Sequence, residues 1–510
     1  MIISLSVLVI TIIVSGTYAL YKTQLSKNIG VNTTTHGLAY YINYVKGTDI
    51  TAATLNPSTS YESGASSDIE FWKKDDSYDI YGKIDLTVNT IGTNLKNSPA
   101  LKYAVVNNGN VLSTGSLKGT TSGSKVTILK NLYLEQTKQI YTVYVWLDNS
   151  EELGNISNES LSISVDCTAS LQKEPTAADT IISLYTSAAK VTATNNSITY
   201  NTAPSVSLMN DRLGGTTTDL DGGNIRYYGA NPNNYIYFNC SDYSNQTSST
   251  CETWRIIGLF DGKLKLIKSE SIGAYSWDNK DTSTGAENDT GKNDWTTARL
   301  MKLLNPSNYY KVDSNDNNLG QSLYYNSASG KCYSGQNNAT VDCDFTSTGI
   351  KNAETRNMIA ETTYNLGGWN SNSVYSNQIY EYERGTTVYS GRPTTWKGKI
   401  ALAYPSDYGY AADLNQCKDK TLYDYDNRTC TSNNWMKAII TNNGSNTGWL
   451  LTPYSGNSYH AWYVYSDGLV YSYNRAFNAR GAVPVLSLSS ELGIESGGDG
   501  SSSKPYKLSA

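Results

Sequence analysis

The chain has 510 residues, which is too long for one ordinary hydrophobic core, so we expect two or three domains. Its formal net charge is −5, and its charged residues, 17% of the chain, form no basic stripe, which argues against nucleic acid as a partner. The sequence contains 42 Tyr but only 5 Phe. Because a Tyr hydroxyl favours water or a hydrogen-bond partner, this imbalance indicates a β-rich, soluble chain with wet binding surfaces.

The first predicted element is residues 1–21, an uncharged and mostly apolar segment that is long enough to span a bilayer. Small residues around Ala19 suit cleavage by a signal peptidase. The segment is therefore either a signal peptide or a retained membrane anchor. The first charge, Lys22, follows the segment, and the positive-inside rule would then place the remainder in the cytoplasm. Since the cysteine pattern indicates export instead, we expect the natural start to lie upstream and to include a basic segment.

Residues 27–170 are predicted to form an all-β sandwich domain. Short β-branched or alternating runs, separated by Gly, Asn, Ser and Thr, occur at residues 84–88, 101–106, 125–128, 140–146 and 161–165.

Residues 171–201 no longer show this strand pattern. A helix is predicted to begin near Thr176, with Ile181, Ile182 and Tyr185 at helical spacing, and polar residues follow. This segment is interpreted as a linker with a short helix.

Residues 202–510 mix strand and helix signals and are predicted to form an α+β domain. Consecutive strands are expected at residues 225–228, 235–239, 254–259 and 263–268, with Asp261-Gly262 as the last turn. Helices are expected at residues 296–304 and 350–364. The sequence as a whole therefore predicts a multidomain chain.

Six of the seven cysteines fall into local pairs that bracket polar stretches. The pairs are Cys240/Cys251, Cys332/Cys343 and Cys417/Cys430. Such pairs are typical of disulfides that close loops in an oxidising compartment, whereas a zinc site needs more closely spaced ligands. Cys167 has no local partner, and we expect it to be either a buried free thiol or part of an intermolecular contact.

The stretch 448–487 carries the predicted binding site. Strand-like runs at residues 461–466 and 469–473 flank an Asp467-Gly468 turn, and a third run follows at residues 483–488. Rigid rings among Ser, Asn and Gly are typical of recognition surfaces. The candidate ligand-binding residues are Tyr454, Tyr459, His460, Tyr471, Tyr473, Arg475 and Phe477. The alternative is a structural hairpin whose polar and aromatic outer side chains bind no ligand. Trp449, Trp462, Val464 and Leu486 are the predicted core of this region.

The chain resembles two known groups of proteins. The first resemblance rests on W-L-L at 449–451, A-W-Y-V at 461–464, S-D-G at 466–468, C-E-T-W-R-I-I at 251–257, N-D-W at 293–295, Y-E-R-G at 382–385 and Y-P-S-D-Y-G-Y at 404–410. These motifs resemble an uncharacterised bacterial surface domain whose fold is similar to the C-type lectin and formylglycine-generating-enzyme superfamily. The resemblance covers about residues 200–510 and implies a C-type-lectin-like domain whose two ends meet in one sheet. Ala482-Val483-Pro484 departs from the Val-Arg-Pro of that family.

The second resemblance is weaker and covers residues 1–170. The G-T-Y-A-L-Y motif at 16–21 is similar to the signal-peptide junction of the TasA/camelysin family of biofilm-matrix proteins. It implies self-assembly through the β-sandwich by strand exchange.

The sequence offers little support for catalysis or metal binding, so no catalytic residue, metal or cofactor is predicted. Its two histidines, His36 and His460, are far apart in the chain, and residues 313–317 copy only the start of a calcium loop. Glu381 and Glu383 could pair as the carboxylates of a glycosidase if they lie on a strand, but a salt bridge to Arg384 or Arg392 is the alternative.

The leading hypothesis is an exported cell-surface protein for ligand recognition or adhesion, in which a β-sandwich stalk carries a lectin-like head. Its expected partner is a protein or glycan, and its expected location is extracellular, at the cell surface or secreted. An uncleaved residue 1–21 segment would add a membrane contact. The alternatives are a structural matrix or fibre subunit and a carbohydrate-active enzyme.

Overall fold

The computed structural model describes residues 23–25, 41–51, 55–149, 153–156, 158–195, 198–213, 222–279, 290–311, 319–417, 420–425, 429–442 and 444–509. The predicted signal peptide or anchor at residues 1–21 lies outside these ranges. Within them, no helix combines the length and apolarity needed to span a membrane. The chain is β-rich and divides into two compact units, Met1–Glu174 and Pro175–Ala510.

The first unit consists mainly of two antiparallel sheets. Its strands are β1 (Thr23–Leu25), β2 (Ile42–Val45), β3 (Ile50–Thr51), β4 (Pro57–Ser58), β5 (Ala65–Lys73), β6 (Tyr81–Ile91), β7 (Leu101–Asn107), β8 (Asn110–Ser116), β9 (Lys125–Tyr133), β10 (Ile140–Asp148) and β11 (Leu161–Ser170). One sheet has the order β1-β11-β6-β9, with β3 beside β11, and the other has the order β2-β5-β10-β7-β8, with β4 beside β10.

Alternation explains how these sheets share one core. Along β10, Tyr141, Val143 and Val145 are buried, and they join Leu86 of β6 and other apolar side chains of both sheets in one cluster. The five predicted runs all lie within strands, which extend further than predicted. Cys167 is free and buried in this core, and burial raises the pKa of its thiol well above the ordinary value.

The second unit holds the remaining strands. They are β12 (Val191–Asn195), β13 (Ile198–Ala203), β14 (Leu208–Asn210), β15 (Ile225–Tyr227), β16 (Tyr235–Phe238), β17 (Glu252–Phe260), β18 (Lys263–Lys268), β19 (Ala274–Ser276), β20 (Ser329–Gly335), β21 (Ala339–Asp344), β22 (Thr362–Asn365), β23 (Thr395–Gly398), β24 (Ile400–Ala401), β25 (Gly448–Pro453), β26 (His460–Val464), β27 (Val470–Arg475), β28 (Ala479–Gly481), β29 (Val485–Ser487), β30 (Gly493–Ile494) and β31 (Leu508–Ser509).

Two sheets dominate this unit. A nine-stranded sheet runs β12-β13-β14-β15-β17-β18-β29-β24, with β16 beside β17, and a five-stranded sheet runs β19-β28-β25-β26-β27. The hairpin of β17 and β18 turns at Asp261 and Gly262, as predicted, and both residues have the positive φ that a tight hairpin turn requires. Two-stranded ribbons are formed by β20–β21, β22–β23 and β30–β31.

The α-helices of the described residues all lie in the second unit and are short. They are α1 (Ala177–Ser187), α2 (Arg299–Leu304), α3 (Ala353–Met358), α4 (Ser376–Arg384), α5 (Pro405–Tyr410) and α6 (Trp435–Thr441). The helix predicted at residues 350–364 is wrong in extent. It ends at Met358, and Thr362–Asn365 is strand β22 instead, because Thr362 and Thr363 favour a strand and Tyr364 pairs with Trp396.

Of the segment 171–201, predicted as a linker, residues 171–174 belong to the first unit and residues from 175 onward to the second. Helix α1 begins with a capping box between Thr176 and Asp179, and it buries Ala177, Ile181 and Tyr185 in the core of that unit. Strand β12 and the neighbouring β13 then extend the nine-stranded sheet. The predicted short helix is present, but the segment as a whole is packed.

The two ends of the second unit meet. The Ala177 N–H donates to the Leu492 carbonyl over 2.7 Å, and the Tyr237 N–H donates to the Tyr506 carbonyl over 2.9 Å. Strand β29, near the end of the chain, lies between β18 and β24 in the nine-stranded sheet. The opening and closing segments therefore stabilise each other.

Three disulfides connect Cys240–Cys251, Cys332–Cys343 and Cys417–Cys430, the pairs predicted from the spacing. All three lie in the second unit. Three disulfides are typical of an extracellular protein.

Candidate functional site

The hairpin β26–β27 lies at one edge of the five-stranded sheet and presents two different faces. Trp462, Val464 and Val470 are fully buried on one face, where they belong to an apolar cluster. On β27, Tyr471, Tyr473 and Arg475 alternate with buried residues and point to the other face. The remaining predicted core residues, Trp449 and Leu486, are also buried.

The turn of this hairpin is longer than the predicted two residues. Gly468 donates its N–H to the Tyr465 carbonyl over 2.8 Å, and Tyr465 donates to the Leu469 carbonyl over 2.9 Å. Gly468 has φ +92°, and a Cβ there would lie 2.2 Å from Thr431 Cγ2, so only glycine fits without a shift. The Tyr408 hydroxyl donates to the Gly468 carbonyl over 2.7 Å. The turn is thus fixed against the body of the unit.

Tyr471 is the centre of a cluster of rings on the outer face. Its ring centroid lies 5.5 Å from that of Tyr463, its partner across the hairpin, and 5.8 Å from that of Tyr465 in the turn. The Tyr423 ring, from a loop distant in sequence, lies edge-on at 5.4 Å, and the Tyr473 ring lies at 6.3 Å. Edge-to-face and offset contacts at these distances stabilise aromatic clusters.

His460 continues the cluster beyond Tyr473. Its ring lies 6.3 Å from Tyr473, 5.9 Å from Tyr454 and 4.5 Å from Tyr459, and its Nδ1 is 2.9 Å from Asn457 Nδ2. Burial, together with the positive charge of Arg475, lowers the pKa of His460 to about 4. The imidazole is therefore neutral at physiological pH.

We call this surface the tyrosine face. It consists of Tyr423, Tyr454, Tyr459, His460, Tyr463, Tyr465, Tyr471, Tyr473 and Arg475. Six of the seven predicted binding residues belong to it. The exception is Phe477, which is only 5% exposed and has no ring–ring contact with the cluster among the described residues; Tyr463, although 8% exposed, is included because its ring stacks on that of Tyr471. The cause is a turn after β27, in which Asn478 donates its N–H to the Arg475 carbonyl and ends the strand alternation.

Sequence reasoning missed three rings of the tyrosine face. Tyr463 is opposite Tyr471 in the hairpin register, so the pairing of the two runs could have indicated it. Tyr465 was placed in a strand but lies in the turn. Tyr423 comes from the loop that the Cys417–Cys430 disulfide closes, and no local pattern links that loop to the hairpin.

Exposed rings are concentrated on this face. The large apolar or aromatic side chains that are exposed among the described residues of the second unit are Val191, Val341, Tyr423, Tyr465 and Tyr473. Three of these five belong to the tyrosine face, with 39%, 41% and 52% of their surface exposed. Isolated exposed apolar residues are ordinary, whereas a contiguous group is typical of an interaction site.

Glu381 and Glu383 are not arranged as a carboxylate pair. They lie on helix α4 rather than on a strand, and positions i and i+2 of a helix point in different directions. Glu381 is exposed, whereas Glu383 is buried and accepts hydrogen bonds from Ser406 N at 2.9 Å and Ser406 Oγ at 2.5 Å. Its carboxylate also pairs with Arg384 at 3.2 Å, the alternative that the sequence left open. Burial raises the pKa of Glu383 to about 7.

A second group of charges lies in the interior. Arg226 Nε is 2.6 Å from Asp211 Oδ2 and its Nη1 is 3.3 Å from Asp407 Oδ1, while Lys265 pairs with the other oxygen of Asp407. Burial opposes ionisation of Asp407, but Lys265 and Arg226 hold the pKa of its carboxyl below the ordinary value. These four buried side chains connect strands β15 and β18 to helix α5 and have a structural role, because solvent does not reach them.

We also searched the described residues for side chains that could bind a metal ion together. In that part of the chain, no three His, Cys, Asp or Glu side chains converge as a metal site would require. Residues 313–317, the calcium-like stretch, lie outside the described ranges. Arg392, the other arginine considered as a partner for Glu381 or Glu383, donates instead to Asn293 Oδ1 at 3.3 Å and to the Ser458 carbonyl at 3.1 Å, close in sequence to His460 of the tyrosine face.

No family model matches the chain, and no curated protein matches it. A solved crystal structure of an HCR/D mutant is similar over 51% of this chain and 76% of that chain, with 12% sequence identity and a TM-score of 0.14.

Proposed function

We propose that the chain is an exported recognition protein of the cell surface or the extracellular space, and that it binds its ligand through the tyrosine face. In this proposal a β-sandwich domain carries a C-type-lectin-like head. The two sheets around one core in the first unit support the first part. The meeting ends of the second unit and its closing hairpin support the second part.

One observation carries the binding proposal: among the described residues of the second unit, three of the five exposed large apolar or aromatic side chains lie on one face. A Tyr ring offers a large and rigid contact area at low cost in conformational entropy, and its hydroxyl supplies a hydrogen bond. The rings are held in place by the buried face of the hairpin, so little ordering is needed on binding. This combination suits recognition of a ligand on an open surface.

The extracellular location is supported by the three disulfides, because disulfides persist in oxidising compartments. Export would be directed by residues 1–21. N-terminal sequencing of the exported protein distinguishes a cleaved signal peptide from a retained anchor, and a full-length chain found only in the cytoplasm would contradict the proposal.

The test of the binding site uses the full exported chain on an array of glycans and proteins. Tyr473→Ala should weaken binding of the ligand found by at least about tenfold, since truncated aromatic anchors commonly cost about 2 kcal/mol. Tyr473 is 52% exposed, so its removal should leave the fold intact. Tyr78→Ala is the matched control, because Tyr78 is an exposed tyrosine of the first unit. If Tyr473→Ala binds as tightly as the control, the site is misplaced, and the stacked pair Trp369–Tyr382 becomes the next surface to test.

A fibre subunit is the second candidate, and one feature of the first unit favours it. Strand β8 is at the edge of its sheet and exposes Val111 and Leu112. An apolar edge strand is a template for pairing with another chain. Concentration-dependent fibres of the exported chain, abolished by Val111→Lys, would support this function, and a monomer at all concentrations would exclude it.

A further inference from the structure

Two guanidinium groups belong to the tyrosine face or its border, Arg475 on the face and Arg480 beside the Tyr463 ring. Arg475 is exposed and Arg480 is half-buried, and neither guanidinium forms an ion pair with a carboxylate of the described residues. In the same unit, Arg226, Lys265 and Lys268 each pair with an acidic side chain, whereas Arg255 and Arg392 bond to amide and carbonyl oxygens. Burial and the negative charge of Asp467 in the hairpin turn raise the pKa of Tyr471, so the positive charge is localised at Arg475 and Arg480 rather than spread over the face. In a chain with net charge −5, these two guanidinium groups point to a partner with anionic groups at their positions.

The two guanidinium groups lie near different rings of the cluster. Arg475 is opposite His460 in the hairpin, and its charge contributes to the lowered pKa of that imidazole. Arg480, on β28, lies over the Tyr463 ring at 5.0 Å and donates to Thr447 Oγ1 at 3.1 Å. The Tyr463 ring in turn stacks on that of Tyr471. A bound anion would therefore contact rings and a cation together.

We propose that the ligand of the tyrosine face is an acidic polysaccharide, whose sugar rings lie along the Tyr rings and whose carboxylates pair with Arg475 and Arg480. This inference rests on the proposed binding function. Guanidinium groups bind carboxylates through two parallel hydrogen bonds, which gives strength and orientation. The rings supply the second contact, since the apolar C–H face of a sugar packs against the electron-rich face of an aromatic ring.

The shape of the face favours a glycan chain over a peptide. The rings are in contact from Tyr423 through Tyr471 and Tyr473 to His460, and this continuous series of rings could contact successive sugars of a chain. A peptide could add to the sheet beside β27, but the Asn372 amide donates to the Val470 carbonyl at 2.9 Å and the Tyr423 loop covers that end of the strand. Strand addition needs a free edge.

The experiment measures binding of the full exported chain to polygalacturonate, alginate and hyaluronate, each beside its carboxyl-reduced form, and to poly-glutamate. At least one acidic polysaccharide should bind about tenfold more tightly than its carboxyl-reduced form, and added salt should weaken that binding. Arg475→Gln should weaken it several-fold and reduce the salt dependence. Arg212→Gln is the matched control, since Arg212 is an exposed arginine of the same unit. Near-ultraviolet circular dichroism verifies that each variant is folded.

Three outcomes overturn the inference. They are equal binding of the acidic and carboxyl-reduced forms, tighter binding of poly-glutamate, and no binding of any acidic polysaccharide at low salt. Failure of the inference differs from failure of the proposed function. If Tyr473→Ala abolishes binding while carboxyl reduction and Arg475→Gln change nothing, the face binds a neutral ligand. If a ligand binds and neither Tyr473→Ala nor Arg475→Gln weakens it, the face itself is wrong.

Discussion

Glu383 makes the stability of the second unit depend on pH. Burial raises the pKa of its carboxyl from 4.5 to about 7, so the folded state holds the proton more tightly than the unfolded state. Its contribution is fully present below pH 4.5 and is lost as pH rises to about 7. Glu383→Gln should remove this loss, which amounts to at most about 3 kcal/mol. Urea unfolding at several pH values from 4.5 to 8 measures this loss. Glu381→Gln is the control, because Glu381 is exposed. If the free energy of unfolding changes with pH equally in the unmodified protein and in both variants, the prediction is wrong.

Trp462 tests whether the inner side of the hairpin holds the tyrosine face in place. The side chain is fully buried among the apolar residues behind the face. Trp462→Ala should therefore reduce the free energy of unfolding by about 3–5 kcal/mol, because it leaves a cavity. Chemical denaturation gives this value directly. A loss below about 1 kcal/mol would mean that the hairpin is not anchored through this ring.

At the scale of single residues, the two-residue period of a strand correctly predicted which side chains of the hairpin point outward and which are buried. The outward position of Tyr471 and Tyr473 and the burial of Trp462 follow from the two-residue period. Phe477 was misplaced because the strand ends at Arg475, and the period ends with it. Tyr423 could not be predicted, since its contact with Tyr471 depends on tertiary packing.

At the scale of elements, one disulfide-closed loop contributes directly to the tyrosine face. Cys417–Cys430 closes the loop that carries Tyr423, whose ring packs against Tyr471. Replacing both cysteines with Ser should loosen this loop and weaken ligand binding several-fold, because the ring then loses its fixed position. The stability should fall by about 3 kcal/mol, the usual effect of closing a loop of about this length.

The matched control for this prediction is the Cys332/Cys343 pair. It closes a loop of similar length between β20 and β21 and contributes no ring to the tyrosine face. The corresponding double Ser variant should lose similar stability and keep its affinity. Equal losses of affinity in both variants would show that the first effect reflects general destabilisation. Mass mapping without reductant should recover all three disulfides from the exported protein.

The elements themselves were predicted unevenly. Strands with clear alternation, such as β10 and β18, lie where the sequence placed them. The helices were less accurate, because short helices of one or two turns depend on tertiary packing more than on propensity. Helix α4 is an example: a carboxylate pair of Glu381 and Glu383 was considered on the assumption of a strand, yet the segment is a helix that buries Ile379 and Tyr380.

At the scale of the whole molecule, the sequence predicted two regions but misjudged what lies between them. The polar composition of residues 188–201 indicates a linker, and the strands β12 and β13 found there are largely polar. Their place in the nine-stranded sheet is decided by pairing with β14, which a composition argument does not detect. Cooperative units are defined by such pairings and by shared cores, so the boundary belongs before α1.

This boundary makes a prediction about fragments. A fragment of residues 175–510 keeps helix α1, with Ile181 and Tyr185 in the core, and keeps the Ala177–Leu492 hydrogen bond. A fragment of residues 202–510 loses all of these and exposes the edge of β14. Each of the two buried side chains contributes about 2 kcal/mol or more, so the shorter fragment should lose several kcal/mol and unfold less cooperatively. Thermal and urea unfolding measure the stability of the two fragments. Ile181→Ala in the longer fragment removes core packing but keeps the pairing of β12 and β13, so it shows how much of the difference is due to packing. Identical stability of the two fragments would restore the linker interpretation, and an unfolded longer fragment would show that the second unit needs residues before 175.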